Sequence, residues 1–370
     1  MLVKKGKMLM RICFIGHASN YHIIKWATWF SARGHEVHVI SFVDGEIDNV
    51  TVHYINTGVD KGDSDVKKIG YLLKAGQLNK IVKSISPDII NAHYLTSYGT
   101  AVAISGIKHY IVSVWGGDVY DFPRKSPFHN AMVRFSLRRA SYVFSTSKAM
   151  ARETALYTRK KIIITPFGVD MDLFNPDKRS REEDAKFIIG TVKALKPKYG
   201  IDVLLRAAKI VKDNYPEMNL EVRIAGDGPQ REQYHQLARD LGISDFVSWL
   251  GFISQNEAAR EWADFDVAIV PSTMDSESFG VSAIEAQASG TALIISDIPG
   301  LKEATDPQNR IVVPRNDDQA LADAISILYM NKDKRQDMAA CGRRYVLKRY
   351  EVNKCFEKVE KVFFRICNKD

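Results

Sequence analysis

Apolar residues along this chain cluster in short continuous runs rather than strict alternation. In the first half the runs are Ile12–Ile15, Val37–Phe42, Val50–Ile55, Ile89–Ala92, Tyr110–Val114, Val143–Ser145 and Ile162–Thr165. Runs of this kind read as strands buried on both faces, as in a parallel sheet. Between them the apolar period lengthens to that of a helix, as in Tyr21–Arg33, closed by Gly34, and Val66–Ile85, stopped near Pro87. The second half repeats the scheme, with strands expected at Phe187–Val192, Leu220–Ala225, Phe246–Trp249, Val267–Val270, Leu293–Ile295 and Ile311–Val313. Alternating strands and helices imply parallel sheets covered on both faces, with ligands bound above the strand carboxyl ends where the strand order reverses. The charged, poorly periodic stretch Asn175–Ala185 reads as a linker. The expectation is an α/β protein of two doubly wound, Rossmann-like domains facing a cleft: residues 1–175, then 186–350, followed by an amphipathic terminal segment, 351–370.

Composition narrows the class. The chain has 370 residues, enough for two cores, and 45% of them are apolar. No uncharged apolar stretch approaches the ~20 residues of a membrane span. Lys4, Lys5 and Lys7 are followed at once by a strand, without the apolar segment and cleavage site of a signal peptide. Cys13, Cys341, Cys355 and Cys367 show neither paired nor metal-like spacing, so a reduced, cytoplasmic protein is expected. Metal-binding patterns such as His-Glu-x-x-His or Cys-x-x-Cys are absent from the sequence, and no metal or other cofactor is expected. The formal net charge is +8 and uneven: Arg124–Lys161 holds ten Lys/Arg against the single acid Glu153. Such a stretch suits an anionic membrane surface or a phosphate-bearing substrate, and no nucleic-acid motif accompanies it.

The most informative window is Glu277-Ser-Phe-Gly-Val-Ser-Ala-Ile-Glu285. It follows the strand Val267–Val270 and enters a helix, so Phe279, Gly280 and Val281 would present free backbone N–H groups at a helix N-terminus. Gly280 adds no Cβ to obstruct a ligand. A diphosphate fits there, with the carboxylates of Glu277 and Glu285 accepting from sugar hydroxyls on either side. A capping box, Ser282 with Glu285, is the alternative for the same residues. Lys193 and Lys198 lie just past the strand Phe187–Val192, where two cations could neutralise a diphosphate and support the charge that grows as it leaves. Gly226-Asp-Gly-Pro229 makes a tight turn after a strand, and Leu250 to Ile253 end another at the same sheet edge, where a flat base could lie. In the first half, Gly16-His17 follows the first strand as a weak phosphate-loop candidate. Trp115-Gly-Gly-Asp118 and His93-Tyr94 end two other strands.

Taken together, these motifs resemble the family 4 retaining glycosyltransferases, which have the two-domain GT-B fold. The resemblance spans nearly the whole chain. It rests on the Glu277–Glu285 window, on Gly226-Asp-Gly-Pro229, on Pro166-Phe-Gly-Val-Asp170 with Phe174, on Lys193 with Lys198, and on Gly300-Leu-Lys-Glu303. It implies an NDP-sugar donor, preferentially a UDP-sugar, held by the second domain, with Glu285 on the ribose and Glu277 on the sugar. Phe279, Gly280 and Val281 would supply backbone contacts, and Lys193 and Lys198 would hold the diphosphate. The first domain would hold a saccharide or lipid-linked saccharide acceptor, with Asp118 among the catalytic residues, and the last helix would return to that domain. Three positions depart from the usual pattern: Lys193 replaces an arginine, His17 replaces the second glycine of a pair, and Trp115 stands where a histidine commonly precedes the acid. A nucleotide-sugar epimerase, a sugar phosphorylase and a non-catalytic binding subunit are the rival readings.

Overall fold

A computed structural model describes residues 2–4, 7–58, 70–181 and 186–368. The chain divides into two compact units. One comprises residues 1–167 with 356–370, and the other residues 168–355. The first crossing thus falls between Phe167 and Gly168, upstream of the stretch expected as a linker. Residues 175–181 belong to the second unit, where the Ser180 N–H and hydroxyl donate to Asp264 and Arg181 pairs with Asp266. Residues 182–185 of that stretch, and 66–69 of the helix expected over 66–85, lie outside the described residues. The described part of that helix runs Ala75–Ile85, after a short turn Gly70–Leu73.

A small antiparallel hairpin, β1 (Leu2–Lys4) with β2 (Lys7–Leu9), precedes the first sheet. That sheet contains β3 (Arg11–Ile15), β4 (Glu36–Ser41), β5 (Thr51–Tyr54), β6 (Ile89–His93), β7 (Ile111–Val114), β8 (Tyr142–Ser145) and β9 (Ile162–Ile164). They pair in parallel in the order β5-β4-β3-β6-β7-β8-β9. The order reverses between β3 and β6, which places Gly16 and Tyr94 at the switch point. Continuous burial along β6 and β7 explains why their sequences read as unbroken apolar runs.

The second sheet contains β10 (Phe187–Val192), β11 (Leu220–Ala225), β12 (Val247–Gly251), β13 (Val267–Val270), β14 (Ala292–Ser296) and β15 (Ile311–Val313). Its parallel order is β12-β11-β10-β13-β14-β15. The reversal falls between β10 and β13. Those two strands carry Lys193 and the Glu277 loop at their carboxyl ends, so residues 84 positions apart become neighbours.

The last helix, Val352–Cys367, contributes its residues from Phe356 onward to the first unit. Phe356 and Phe363 are fully buried there, packed against Trp26 and Phe30 of the helix Tyr21–Ala32 at ring distances of 5.1 and 5.3 Å. Polar anchoring accompanies this packing. Arg33 makes a two-pronged pair with Glu360, both N···O distances being 2.9 Å. The buried His35 accepts the Met10 N–H at Nδ1, so its Nε2–H is the one donated to Glu360, at 2.9 Å.

Candidate active site

Lys193 emerges from β10 with its N–H on the Ala225 carbonyl. Its ammonium meets Glu277 Oε2 at 2.9 Å, with only 8% and 9% of the two side chains exposed. Desolvated charge-assisted contacts of this length are strong, and each member would be left in a poor environment without the other. Lys193 Nζ also lies 4.8 Å from the ring centroid of Tyr199, and Lys198 Nζ lies at the same distance from the same ring. The two lysines and Glu277 therefore form one cluster at the switch point.

Past Glu277 the helix Val281–Ala288 begins with Gly280 as its N-cap, at φ 75°. No side chain caps it; Ser282 and Glu285 both lie inside the helix, so the alternative capping box is not formed. The Ala283 and Ile284 N–H groups donate to the Gly280 carbonyl, while those of Val281 and Ser282 precede the first intrahelical acceptor, and the helix dipole adds positive potential there. Packing within the unit also requires a glycine at position 280. A Cβ at this position would fall 2.5 Å from the Leu301 side chain, and the backbone is left-handed. The missing side chain thus makes room for Leu301. Glu285 is buried in the helix, at 8% exposure. Two buried hydroxyls of the preceding loop, Ser272 Oγ and Ser276 Oγ, have no hydrogen-bond partner among the described residues. Buried polar groups normally find one, so these are candidates for ligand contact.

Gly226 adopts φ 135°, and a Cβ there would meet the Lys193 carbonyl oxygen at 2.0 Å, while its N–H donates to the Gly251 carbonyl. This glycine brings three loop backbones together. Leu250 and Ile253 are half-buried along the same edge, and Phe252 between them is 87% exposed.

The first unit offers a different environment. Gly16 packs against the helix Tyr21–Ala32, where a Cβ would fall 2.6 Å from the Ile23 side chain; a close packing requirement accounts for it without a phosphate. Asp118, expected as a reacting carboxylate, is fully buried. Its oxygens accept the N–H groups of Leu95, Trp115 and Gly116. Burial pushes its carboxyl up, opposed by those amides. The carboxylate thus ties the loop after β6 to the loop after β7 and has no surface for a substrate. His93 is enclosed by Phe14, Trp26 and Trp115, with both ring nitrogens unpartnered among the described residues. Burial pushes it down to about 3, which keeps it neutral. Next to it Tyr94 takes φ 74°, rare for a bulky residue, ahead of a π-helical turn Leu95–Gly99. His22 stacks on Phe167 at 4.1 Å.

The structure therefore gathers Lys193, Lys198 and Glu277 in one cluster, with Phe279, Gly280, Val281, Glu285, Gly226, Leu250 and Ile253 in the same unit. It keeps Gly16 and Asp118 in the other. Sequence reasoning passed over Tyr199, Ser272 and Ser276. Only for Tyr199 was there a usable signal, an aromatic residue between a cation and a glycine. Among the described residues no group of three or more His, Cys, Asp or Glu could hold a metal ion. Among them, too, no helix is long and apolar enough to cross a membrane.

Comparison with known proteins places the fold and the family. Among solved structures, sucrose-phosphate synthase from Thermosynechococcus elongatus superposes with a TM-score of 0.85 at 17% identity, covering 97% of this chain and 100% of that one. HepE from Anabaena, in complex with UDP-glucose, gives 0.79 at 17% identity, covering 96% and 100%. The fold is that of the GT-B glycosyltransferases. Residues 174–345 match the family described as glycosyl transferases group 1, and residues 11–147 match the glycosyl transferase 4-like family. The chain belongs to the family 4 glycosyltransferases. A D-inositol 3-phosphate glycosyltransferase of Corynebacterium urealyticum is 34% identical over 192 residues, 48% of this chain and 45% of the relative. The match thus spans about half the length of that curated relative.

Proposed function

We propose that this protein is a retaining glycosyltransferase that moves a sugar from an NDP-sugar, with a UDP-sugar as favoured donor, to a saccharide or lipid-linked saccharide. The observation that carries the reading is the Lys193–Glu277 pair at the switch point, beside the N-terminus of the helix Val281–Ala288, which no side chain caps. In the transfer, the bond from the sugar C1 to the phosphate oxygen breaks and a bond from C1 to the acceptor oxygen forms on the same face. The acceptor proton passes to the departing phosphate, and the nucleoside diphosphate leaves. Lys193, Lys198 and the helix N-terminus take up the charge that grows on the leaving group, so catalysis is positioning and electrostatic support. Asp118 serves as a positioning residue through the backbone of Leu95 and Trp115. A thermal-shift screen of nucleotide sugars identifies the donor, because a tight ligand raises the unfolding temperature. Product analysis with saccharide acceptors then tests the transfer. Donor turnover without acceptor, or release of sugar 1-phosphate, would replace this reading with an epimerase or a phosphorylase.

The two carboxylates separate by kinetics. Glu285→Gln is expected to raise the donor KM with kcat little changed, as for a contact made equally in ground and transition states. Glu277→Gln is expected to lower kcat, because it neighbours both the leaving-group cation and the sugar. Wild-type kinetics in both variants would return the window to a purely structural role.

A pathway building surface polysaccharide at the inner face of the plasma membrane fits the basic stretch 124–161. Arg134, Arg138, Arg139 and Lys148 are exposed there, with Phe128 at 72% and Leu156 at 60% exposure. Leu137 and Phe144 of the same stretch are fully buried in the core and add nothing to the apolar part of that face. Binding to anionic vesicles at low salt is expected, at about 1 kcal/mol per well-placed cation. It should fade as salt screens the charges and fall with Arg138→Glu and Arg139→Glu together. Equal sedimentation with neutral vesicles would discard the membrane contact.

A further inference from the structure

Tyr199 ends the 3₁₀ turn Pro197–Tyr199, and the ammonium groups of Lys193 and Lys198 each lie 4.8 Å from its ring centroid. We propose that Tyr199 is a positioning residue whose ring holds both cations ready for the diphosphate of the donor, a role that rests on the donor reading above. Two like charges on long, rotamer-rich side chains repel each other and splay when no anion lies between them. An aromatic face is attracted to each cation, so one ring within reach of both offsets their repulsion and restricts both to one locality. Lys193 is held by Glu277 as well, at 2.9 Å.

The turn that carries the ring is anchored through its backbone. The Thr273 N–H donates to the Lys198 carbonyl at 2.8 Å. Gly200, which follows Tyr199, is left-handed at φ 64°, and a Cβ there would fall 2.1 Å from the Pro271 carbonyl oxygen. The turn is seated on the end of β13, from which the chain runs to Glu277. One anchor therefore sets Tyr199, Lys198 and the Glu277 loop together.

Calorimetric titration of the full chain with UDP and GDP tests the proposal, using whichever nucleotide binds the wild type. Tyr199→Leu keeps apolar bulk and removes the ring; it is expected to weaken nucleotide affinity roughly tenfold, the scale of removing two cation–π attractions. Tyr199→Phe keeps the ring and is expected to stay within about twofold of wild type. Thermal unfolding of both variants checks that they are folded, and Lys198→Ala serves as the reference for a missing diphosphate contact. Wild-type affinity in Tyr199→Leu, with affinity reduced in Lys198→Ala, overturns the role of the ring and leaves the donor reading standing. Equal weakening in the two Tyr199 variants assigns the effect to the hydroxyl and also overturns it. Wild-type affinity in all three variants defeats the donor reading itself.

Discussion

Replacing Lys198 by alanine is expected to lower kcat/KM by at least ~100-fold, since a preorganised charge aimed at a leaving group is worth roughly 3 kcal/mol of barrier. The structure makes Lys198 the better of the two lysines for this measurement. Lys193 is engaged by the buried Glu277 at 2.9 Å, so removing it would also leave a desolvated carboxylate unanswered and mix two effects. Steady-state kinetics with the donor identified by screening provides the measurement. Arginine at 198 is expected to restore most of the activity, because charge matters more than shape at a terminal phosphate. Near-normal turnover of a folded Lys198→Ala protein would remove Lys198 from the leaving-group role.

The second large effect concerns stability. Glu360→Ala is expected to cost about 3 kcal/mol, because it leaves the buried His35 N–H and the Arg33 fork without their acceptor. That loss corresponds to a fall of roughly 6–12 °C in unfolding temperature, read by calorimetry. The pH dependence carries a signature. Burial pushes the Glu360 carboxyl up, but the bonds from Arg33 and His35 outweigh it and leave the carboxyl below its ordinary 4.5. Its contribution to stability is therefore fully present above about pH 4.5 and disappears as pH falls through the lower folded value. Wild type should lose stability over that acid range, and Glu360→Ala should lose less. Parallel pH profiles for the two proteins would show that the carboxylate does not stabilise the unit by its charge.

Much of the architecture is legible from apolar runs alone, because inner strands such as Ile89–His93, Ile111–Val114, Val267–Val270 and Ala292–Ser296 are buried along their whole length and need no partner information to be seen. Val267–Val270 and Phe187–Val192 are examples where the expected and observed bounds coincide. The hairpin Leu2–Lys4 with Lys7–Leu9 was not legible, because short strands interrupted by lysines leave no period to read. The donor-side residues were found because helix-start chemistry is local: a glycine, then a helix, after a buried strand. What locality hides is direction. The role of Gly280 depends on Leu301, and the surroundings of Asp118 depend on Leu95, contacts set by topology rather than by neighbours in sequence.

The final helix imposes an assembly rule on the first unit. Its residues from Phe356 onward complete a core begun by Trp26 and Phe30, more than 320 positions earlier in the chain. Cutting the gene after residue 167 would yield a fragment with an open aromatic trough rather than an autonomous domain. During synthesis that trough stays uncovered until residues 356–367 have left the ribosome. A synthetic peptide spanning 352–368 should rescue the solubility of the 1–167 fragment when supplied in trans, turning the terminal helix into a handle for split-protein reconstitution.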